Sequence, residues 1–415
     1  MERPCSCLVR STLRQSSLIG KAPEVGSVIK ADEIIDLDAN ATTCLDHRVL
    51  QRLVVALSCS WANPSSDHLL GRAARDAVES ARSSVARLIG AESKDIIFAS
   101  SATEAVNVAI QGVVRARPHR PVHVVASVIE HKAILETVSY LRERGDAEVT
   151  LVRPDRYGTL APSDIIDAVR EDTCLICVGH ANSEVGTVNA VEEIGRGLAQ
   201  LRARPALFVD ASQTGAFWPP NVSRANIDLL CLSSHKMHGP KGAAALYVQE
   251  GTELAPVIFG GGQERGFRPG TLNVPALMGF GLAADLALTE GSARANTVRM
   301  MRDRFLGGLQ EYVPDLWLNG HPVHRLPGNL SLTFPHVDAR MLQKRVPHLA
   351  FSRGSACTSE GGESHVLRGI GLPKKARLWT IRIGLSHMTP LEKIEQAVAD
   401  LGRAVEALRG GLGPG

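Results

Sequence analysis

Between residues 95 and 248 the chain repeats one pattern: a short apolar run, a polar break, then a longer stretch with helical spacing. The runs are Asp95–Ala99, Val122–Ala126, Val149–Val152, Cys174–Val178, Ala206–Val209, Leu229–Leu232 and Ala243–Val248. Helical spacing separates several of them, as in Ala105–Arg115, Ser163–Arg170 and Val191–Leu201. Runs of four to six apolar residues suit strands buried on both faces, and a helix after a strand returns the chain to start a parallel neighbour. The pattern therefore predicts an α/β fold with a mainly parallel, seven-stranded sheet covered by helices on both faces. In such sheets ligands bind beyond the carboxyl ends of the strands. Thr103, His131, Ser183, Asp210 and Ser233 all fall just past a strand end, so one pocket can collect them.

The rest of the chain reads differently. After a Gly-rich loop, Gly260–Thr271, a long helical stretch starts near Val274 and runs past Arg302. A strand-like Asn329–Thr333 and an amphipathic Pro390–Leu408 follow, as in a smaller α+β domain. A length of 415 residues accommodates two such domains. The formal charge is +3, with no concentrated basic face of the kind that binds nucleic acid. No apolar run approaches the ~18 residues of a membrane span. Eight scattered cysteines without disulfide-framework spacing fit a reducing cytosol. The Cys174/Cys177 pair lies inside a strand pattern and reads as core thiols, not as half of a metal site. Residues 1–21 are Arg- and Ser-rich and poor in acids. They read as a disordered extension, with a mitochondrial transit peptide as the alternative to a cytoplasmic protein.

Two segments carry chemistry. In Ser233-Ser-His-Lys-Met-His-Gly-Pro-Lys-Gly242, Lys236 follows a strand on a loop stiffened by Gly and Pro. A lysine there can bond a carbonyl cofactor covalently, and the adjacent hydroxyls and imidazole can hold a phosphate, which together suggest pyridoxal phosphate (PLP). In Ser352–Gly362, Cys357 sits among small residues, a setting that can carry a thiol in and out of a pocket. Ser101-Ala-Thr-Glu104 fits a capping box, and the helix start it marks is a ready site for a phosphate. Arg382 offers a planar fork suited to a carboxylate.

These segments, with Leu37–Thr43, Asn63–Ser66, Glu130–Lys132, His180–Gly186, Val209–Gln213, Gly260–Thr271, Arg353–Thr358 and Ile381–Arg382, occur in the order seen in one family. From about Ile34 onward the chain resembles a cysteine desulfurase of the NifS/IscS-like class, within the fold-type I, class V aminotransferase-like PLP enzymes. The resemblance implies a fold-type I PLP-dependent transferase with a large PLP-binding domain over 46–290. Residues 31–45 with 291–408 would form the small domain carrying the catalytic Cys loop, leaving 1–30 as an extension and 409–415 as a flexible tail. It implies Lys236, His131 and Cys357 as catalytic residues. It places Ala102, Thr103, Ser233 and His235 on the cofactor phosphate, with Thr271 reaching it from the other subunit of a homodimer. It places Asp210 at the pyridine nitrogen, Gln213 and Ser183 near the phenolic oxygen, and His131 on the ring face. Arg382 and Asn182 would bind the substrate, L-cysteine. The product would be L-alanine, with a persulfide on Cys357 passed to a sulfur-acceptor protein.

Two positions depart from the usual family pattern: Ser183 stands where a second Asn is common, and Leu385-Ser-His387 where relatives often carry Gly-Arg. Selenocysteine lyase, a different PLP reaction such as transamination, and a non-catalytic PLP-fold scaffold remain as alternatives. The placement of Cys357 counts against transamination. Intact Lys236, Asp210, His131 and Cys357 count against the scaffold. The spacing between Cys357 and Val366 resembles the long-loop type, which suits delivery to proteins. A chain ending soon after Leu408 counts against an iron–sulfur scaffold as acceptor. Thiolation of tRNA, DNA or a metabolite stays open.

Overall fold

The computed structural model describes residues 34–353 and 363–410. The expected extension over 1–30, Cys357 with its loop, and residues 411–415 lie outside them. Twelve strands and eleven α-helices are described. In chain order they are β1 (Ile35–Asp36), α1 (His47–Cys59), α2 (Leu69–Ile89), β2 (Ile96–Ala99), α3 (Ala102–Ala116), β3 (Val122–Ser127), α4 (Lys132–Glu143), β4 (Ala147–Val152), α5 (Pro162–Asp167), β5 (Thr173–Gly179), α6 (Val191–Leu198), β6 (Ala206–Asp210), β7 (Leu229–Ser233), β8 (Ala244–Val248), α7 (Val274–Tyr312), β9 (Trp317–Asn319), β10 (Asn329–Thr333), α8 (Ala339–Arg345), β11 (Leu349–Ala350), α9 (His365–Gly369), α10 (Lys374–Leu378), β12 (Thr380–Gly384) and α11 (Leu391–Gly410).

All seven expected strands form one sheet, ordered β2-β8-β7-β6-β5-β3-β4. Its pairs are parallel except those of β8, which runs antiparallel to both neighbours. The strands are buried on both faces because helices cover both. On one side Val106, Ile110 and Val113 of α3 pack on Val124, Leu175 and Phe208. On the other, Val78 and Val85 of α2 and Phe280 of α7 pack on Phe98, Ile176 and Val209. Cys174 and Cys177 lie in this packing, and burial raises both thiols.

A second core surrounds the antiparallel sheet β12-β10-β9. β1 enters it by pairing in parallel with β11, which buries Ile35 and Leu37 there. The 39 residues of α7 span both cores, so the expected division near residue 290 falls inside a helix and not in a linker. Phe280 and Phe305, one in each core and both fully buried, illustrate the gain. Each contributes ~1.5–3 kcal/mol relative to exposure. The C-terminal helix also runs further than expected. α11 continues through Gly410, with Arg409 paired to Asp315 at 2.8 Å and bonded to the Pro335 carbonyl, so residues 409 and 410 are not part of a tail. α5 ends three residues before the expected Arg170. Among the described residues no helix is long and apolar enough to cross a membrane.

α2 and α7 cross closely because Gly281 has no side chain: a Cβ there would meet the Ala81 Cα at 2.7 Å and its Cβ at 2.8 Å. Gly281→Val should cost about 1–3 kcal/mol in urea unfolding through overpacking. Gly307, exposed on the same helix with nothing within 4 Å of a built Cβ, should gain about 0.5–1 kcal/mol as Gly307→Ala, from helix propensity alone. Equal effects at both sites would contradict this packing.

Candidate active site

β2, β3, β5, β6 and β7 end at one edge of the sheet. The segments that leave them enclose about 300 Å³. Ala102, Thr103, His131, Asn182, Ser183, Asp210, Gln213, Ser233, His235, Lys236 and Arg382 all line this cavity. Thr271 does not; it is exposed on the Gly260–Thr271 loop. That loop is pinned by buried Glu264, which takes a fork from Arg82 at 2.6 and 2.8 Å, and by Arg268 bonded to Glu104 at 2.8 Å.

Lys236 follows β7 on a single 3-10 turn, Ser234–Lys236. Its amine donates to the carbonyls of Asn40 and, at 2.8 Å, of Ala41. The same N-terminal segment holds the turn from the other side. The Thr43 hydroxyl donates to the His235 carbonyl at 2.9 Å, and Thr42 Oγ1 lies 3.0 Å from His235 Nδ1. Burial, then the neighbouring Lys236 and Lys241, push His235 down to about 4, so its imidazole is neutral at physiological pH. Asp210 Oδ1 accepts the Ser212 N–H at 2.9 Å and the Cys231 thiol at 3.3 Å. Its Oδ2 has no hydrogen-bond partner among the described residues. His131 caps α4, its Nδ1 accepting the Ala133 N–H at 3.1 Å. That bond places the proton of the neutral ring on Nε2.

At the start of α3, Ser101 Oγ accepts the Glu104 N–H at 3.1 Å, as the capping box predicts. The return bond goes to Ser100 and not to Ser101: Glu104 Oε2 accepts the Ser100 N–H at 2.6 Å. The N–H groups of Ala102 and Thr103 precede the helical ladder and have no partner among the described residues. The buried Ser233 hydroxyl, which lines the same cavity, is also without a partner among the described residues. Unpaired donors in a closed, polar corner need an acceptor, and a phosphate dianion at a helix start supplies several. A lysine amine, a strand-end carboxylate and such an anion corner within one cavity fit PLP.

Arg382 and Asn182 are more committed than expected. Arg382 Nη2 donates to Asp38 at 2.7 Å and Ser352 at 3.1 Å, and Nη1 to the Ser183 carbonyl at 3.3 Å. Its fork thus keeps one hydrogen on Nη1 and one on the buried Nε without a partner among the described residues. Asn182 braces its own loop, accepting from Glu184 and Val185 N–H and donating to the Ile129 carbonyl at 2.9 Å. His387, one of the departures, packs edge-on to His238 with ring centroids 4.6 Å apart, and burial lowers it to about 4.

Several lining residues carried no role in the sequence reading. Asn40 bonds Gln213 at both ends of its amide. Glu130 is buried, accepts the Gly179 N–H at 2.9 Å, and rises to about 8, through desolvation first and the charge of Asp210 second. Glu184 is 1% exposed with neither oxygen hydrogen-bonded. Desolvation lifts it to about 7; the Ser364 side chain and the charge of Arg382 oppose the shift. Asn40, Glu130 and Glu184 sat within recognisable motifs, but only burial distinguishes them from solvated loop residues.

The sequence profile of the class-V aminotransferases matches residues 35–397. A cysteine desulfurase IscS of Anaeromyxobacter sp. (strain Fw109-5) is 42% identical over 380 residues, covering 90% of this chain and 93% of that protein. Among solved structures, a NifS-like protein superposes with a TM-score of 0.84 at 32% identity, covering 91% of this chain and 100% of that one. SspA in complex with cysteine superposes with a TM-score of 0.77 at 32% identity, covering 86% of this chain and 100% of that one. Fold and site together define a fold-type I PLP enzyme. The chain belongs to the class-V aminotransferase family, within its cysteine desulfurase branch.

The buried carboxyl of Glu130 gives a pH signature. Its folded value of about 8 lies above the ordinary 4.5. Between these pH values the folded chain keeps a proton that the unfolded chain has released. Its contribution to stability is therefore complete below about pH 4.5 and is lost as pH rises to about 8. Glu130→Gln keeps an acceptor for Gly179 and removes the titration. The difference between variant and wild-type unfolding free energies should grow from pH 5 to pH 8 by roughly 3–4 kcal/mol. A constant difference would mean that Glu130 is ionised in the folded protein.

Proposed function

We propose that this PLP-dependent cysteine desulfurase binds its cofactor through Lys236 and passes the sulfur of L-cysteine to Cys357. The observation that carries the reading is the meeting of the Lys236 amine, the Asp210 carboxylate and the unpaired Ser233 hydroxyl in one cavity at the strand ends. Ala102, Thr103, Ser233 and His235 hold the phosphate. Asp210, with Oδ1 fixed by two donors, keeps the pyridine nitrogen protonated. When bound, PLP supplies a sink for negative charge at the substrate Cα. His131 covers the ring face and presents Nε2–H. Arg382 takes the α-carboxylate through Nη1. Lys236, once free as an amine, removes the Cα proton as general base.

Cys357, as thiolate, attacks the substrate sulfur. The new S–S bond forms as the substrate C–S bond breaks, and the bonding pair stays with carbon, which later takes up protons to give alanine. The persulfide on Cys357 then passes to an acceptor protein. The neutral His235 and the raised Glu130 leave Asp210 as the anionic group aimed at the ring, which favours a protonated pyridine. A homodimer is supported by the exposed apolar stripe Leu50, Val54 and Leu57 on α1, with Trp61 and Phe259, the last 81% exposed. In that arrangement Thr271, outside its own chain's cavity, serves the partner's site. No observation favours selenocysteine over cysteine.

Lys236→Ala should leave the protein folded but without a cofactor that borohydride can fix to the chain. Peptide mapping of the wild type should place the label on Lys236, and label on Lys241 would overturn the assignment. Asp210→Asn should bind PLP and lose turnover by on the order of 10²-fold, as other preorganised electrostatic groups do. Cys357→Ser should keep the bound-cofactor absorbance and change it on adding cysteine, yet release no alanine, because a hydroxyl is a poor nucleophile toward sulfur. Alanine at the wild-type rate, or a persulfide mapped by mass spectrometry to Cys44 or Cys59, would exclude Cys357 as the acceptor.

A further inference from the structure

What Gln213 offers to a ligand depends on which end of its amide faces the cavity. Three neighbours settle that. The Asn40 carbonyl can only accept, so the Gln213 atom 3.1 Å from it is Nε2. Gln213 Oε1 then accepts from Asn40 Nδ2, also at 3.1 Å. Asn40 is itself oriented, because its Oδ1 accepts from Asn329 Nδ2 at 3.1 Å. Asn329 is oriented by groups with no choice. Its Oδ1 accepts from Arg325 Nη2 at 3.2 Å, and its Nδ2 also faces the carbonyls of Glu184 at 3.3 Å and Ser183 at 3.5 Å. A guanidinium has five donors and no acceptor. Donation therefore runs one way, from Arg325 through Asn329 and Asn40 to Gln213.

The path is built, not incidental. Arg325 is 5% exposed and Asn329 fully buried. The Arg325 guanidinium otherwise bonds only carbonyls, those of Val185, Asn319, His321 and Asn329, and no carboxylate pairs with it among the described residues. Its uncompensated charge sits at the donating end of the chain and polarises each amide in turn. Gly186, at φ +81°, clears the way: a Cβ there would lie 2.3 Å from Asn329 Oδ1. Asn329 belongs to β10 of the second core, whereas Gln213 follows β6 of the main sheet, so the path joins the two bodies at the cavity.

We propose that Arg325, Asn329 and Asn40 fix the amide orientation of Gln213, so that its remaining Nε2 hydrogen is donated to the phenolic oxygen of the cofactor, with Asn40 as the positioning residue. This rests on the reading that Gln213 meets that oxygen. The two have separable tests. A donor on the phenolic oxygen stabilises its ionised form, so losing the donor raises the pH midpoint of the bound cofactor's visible band. The measurements are that midpoint on the full-length holoenzyme, the PLP dissociation constant by dialysis, and the apoprotein melting temperature as a check of folding.

Asn40→Ala keeps the backbone carbonyl that receives Lys236 and removes only the side chain. It should raise the midpoint by about one unit and weaken PLP about tenfold, the size expected for one hydrogen bond to a charged acceptor. Asn40→Asp sets an acceptor against Gln213 Oε1 and adds a negative charge, and should raise the midpoint further. Asn40→Ser keeps a donor and should recover part of the loss. Gln213→Ala should move the midpoint at least as far as Asn40→Ala, and the double variant should move no further than Gln213→Ala alone. An unmoved midpoint in Gln213→Ala refutes the contact with the phenolic oxygen. A shift there with none in Asn40→Ala, or additive shifts in the pair, refutes the relay. If Asn40→Ala does not fold, Asn40→Ser and Asn329→Ser decide the matter by the same midpoint.

Discussion

The segment Asp38–Thr43 is the contact on which the site leans. It leaves β1 in the second core and lies across the mouth of β7 in the main sheet. Along six residues it pairs Asp38 with Arg382, bonds Asn40 to Gln213, gives two carbonyls to Lys236, and brackets His235 with Thr42 and Thr43. A lysine on a short 3-10 turn would otherwise have many rotamers open to it. Two carbonyl acceptors hold its amine at the cavity, and that ordering is made before any ligand arrives. The segment reaches this place because Ile35 and Leu37 are buried in the second core and β1 is paired with β11. The position of Lys236 thus depends on packing more than a hundred residues away in sequence.

Burial sets the charges of the cavity. Desolvation at the strand ends shifts groups without a strong partner toward neutrality: His180 and His235 fall to about 4, Glu130 rises to about 8 and Glu184 to about 7. Asp210 has two donors on Oδ1, and Arg382 has Asp38 as counter-ion. A cofactor that stores negative charge needs one firm anion on its far side and few competing ones. In the proposed function Asp210 is that anion, and the raised Glu130 beside it does not compete.

The motif residues were legible because their chemistry is local. A lysine after a strand, a serine at a helix start and an aspartate at a strand end each declare themselves within a few positions. Of the expected site residues, only Thr271 lies outside the cavity of its own chain, and Cys357 is outside the described residues. The sequence did not announce the roles of Asn40, Asn329, Arg325 or Glu184. Asn329 sat in a strand-like run and Arg325 in a loop between His324 and Leu326, and an isolated arginine in a loop usually meets solvent. Here it is buried against the carbonyls of four residues, a setting made only when β9 with the turn after it, β10 and the 182–187 loop close around it.

The amino-acid sequence by itself determined the sheet. Apolar runs at strand length, separated by helical spacing, allow few other solutions, and every one of the seven became a strand. It also determined that the chemistry gathers at the strand ends, since parallel strands present their carboxyl ends along one edge. Which way β8 runs was decided by tertiary structure, because an apolar run reads the same in either direction. So was the sharing of α7 between both cores, because helical spacing does not say what each turn packs against. The charge states and the amide orientations were decided there too. A side chain's identity fixes what it can donate or accept, but desolvation and the obligations of its neighbours, which exist only once the chain has folded, fix which of those it does.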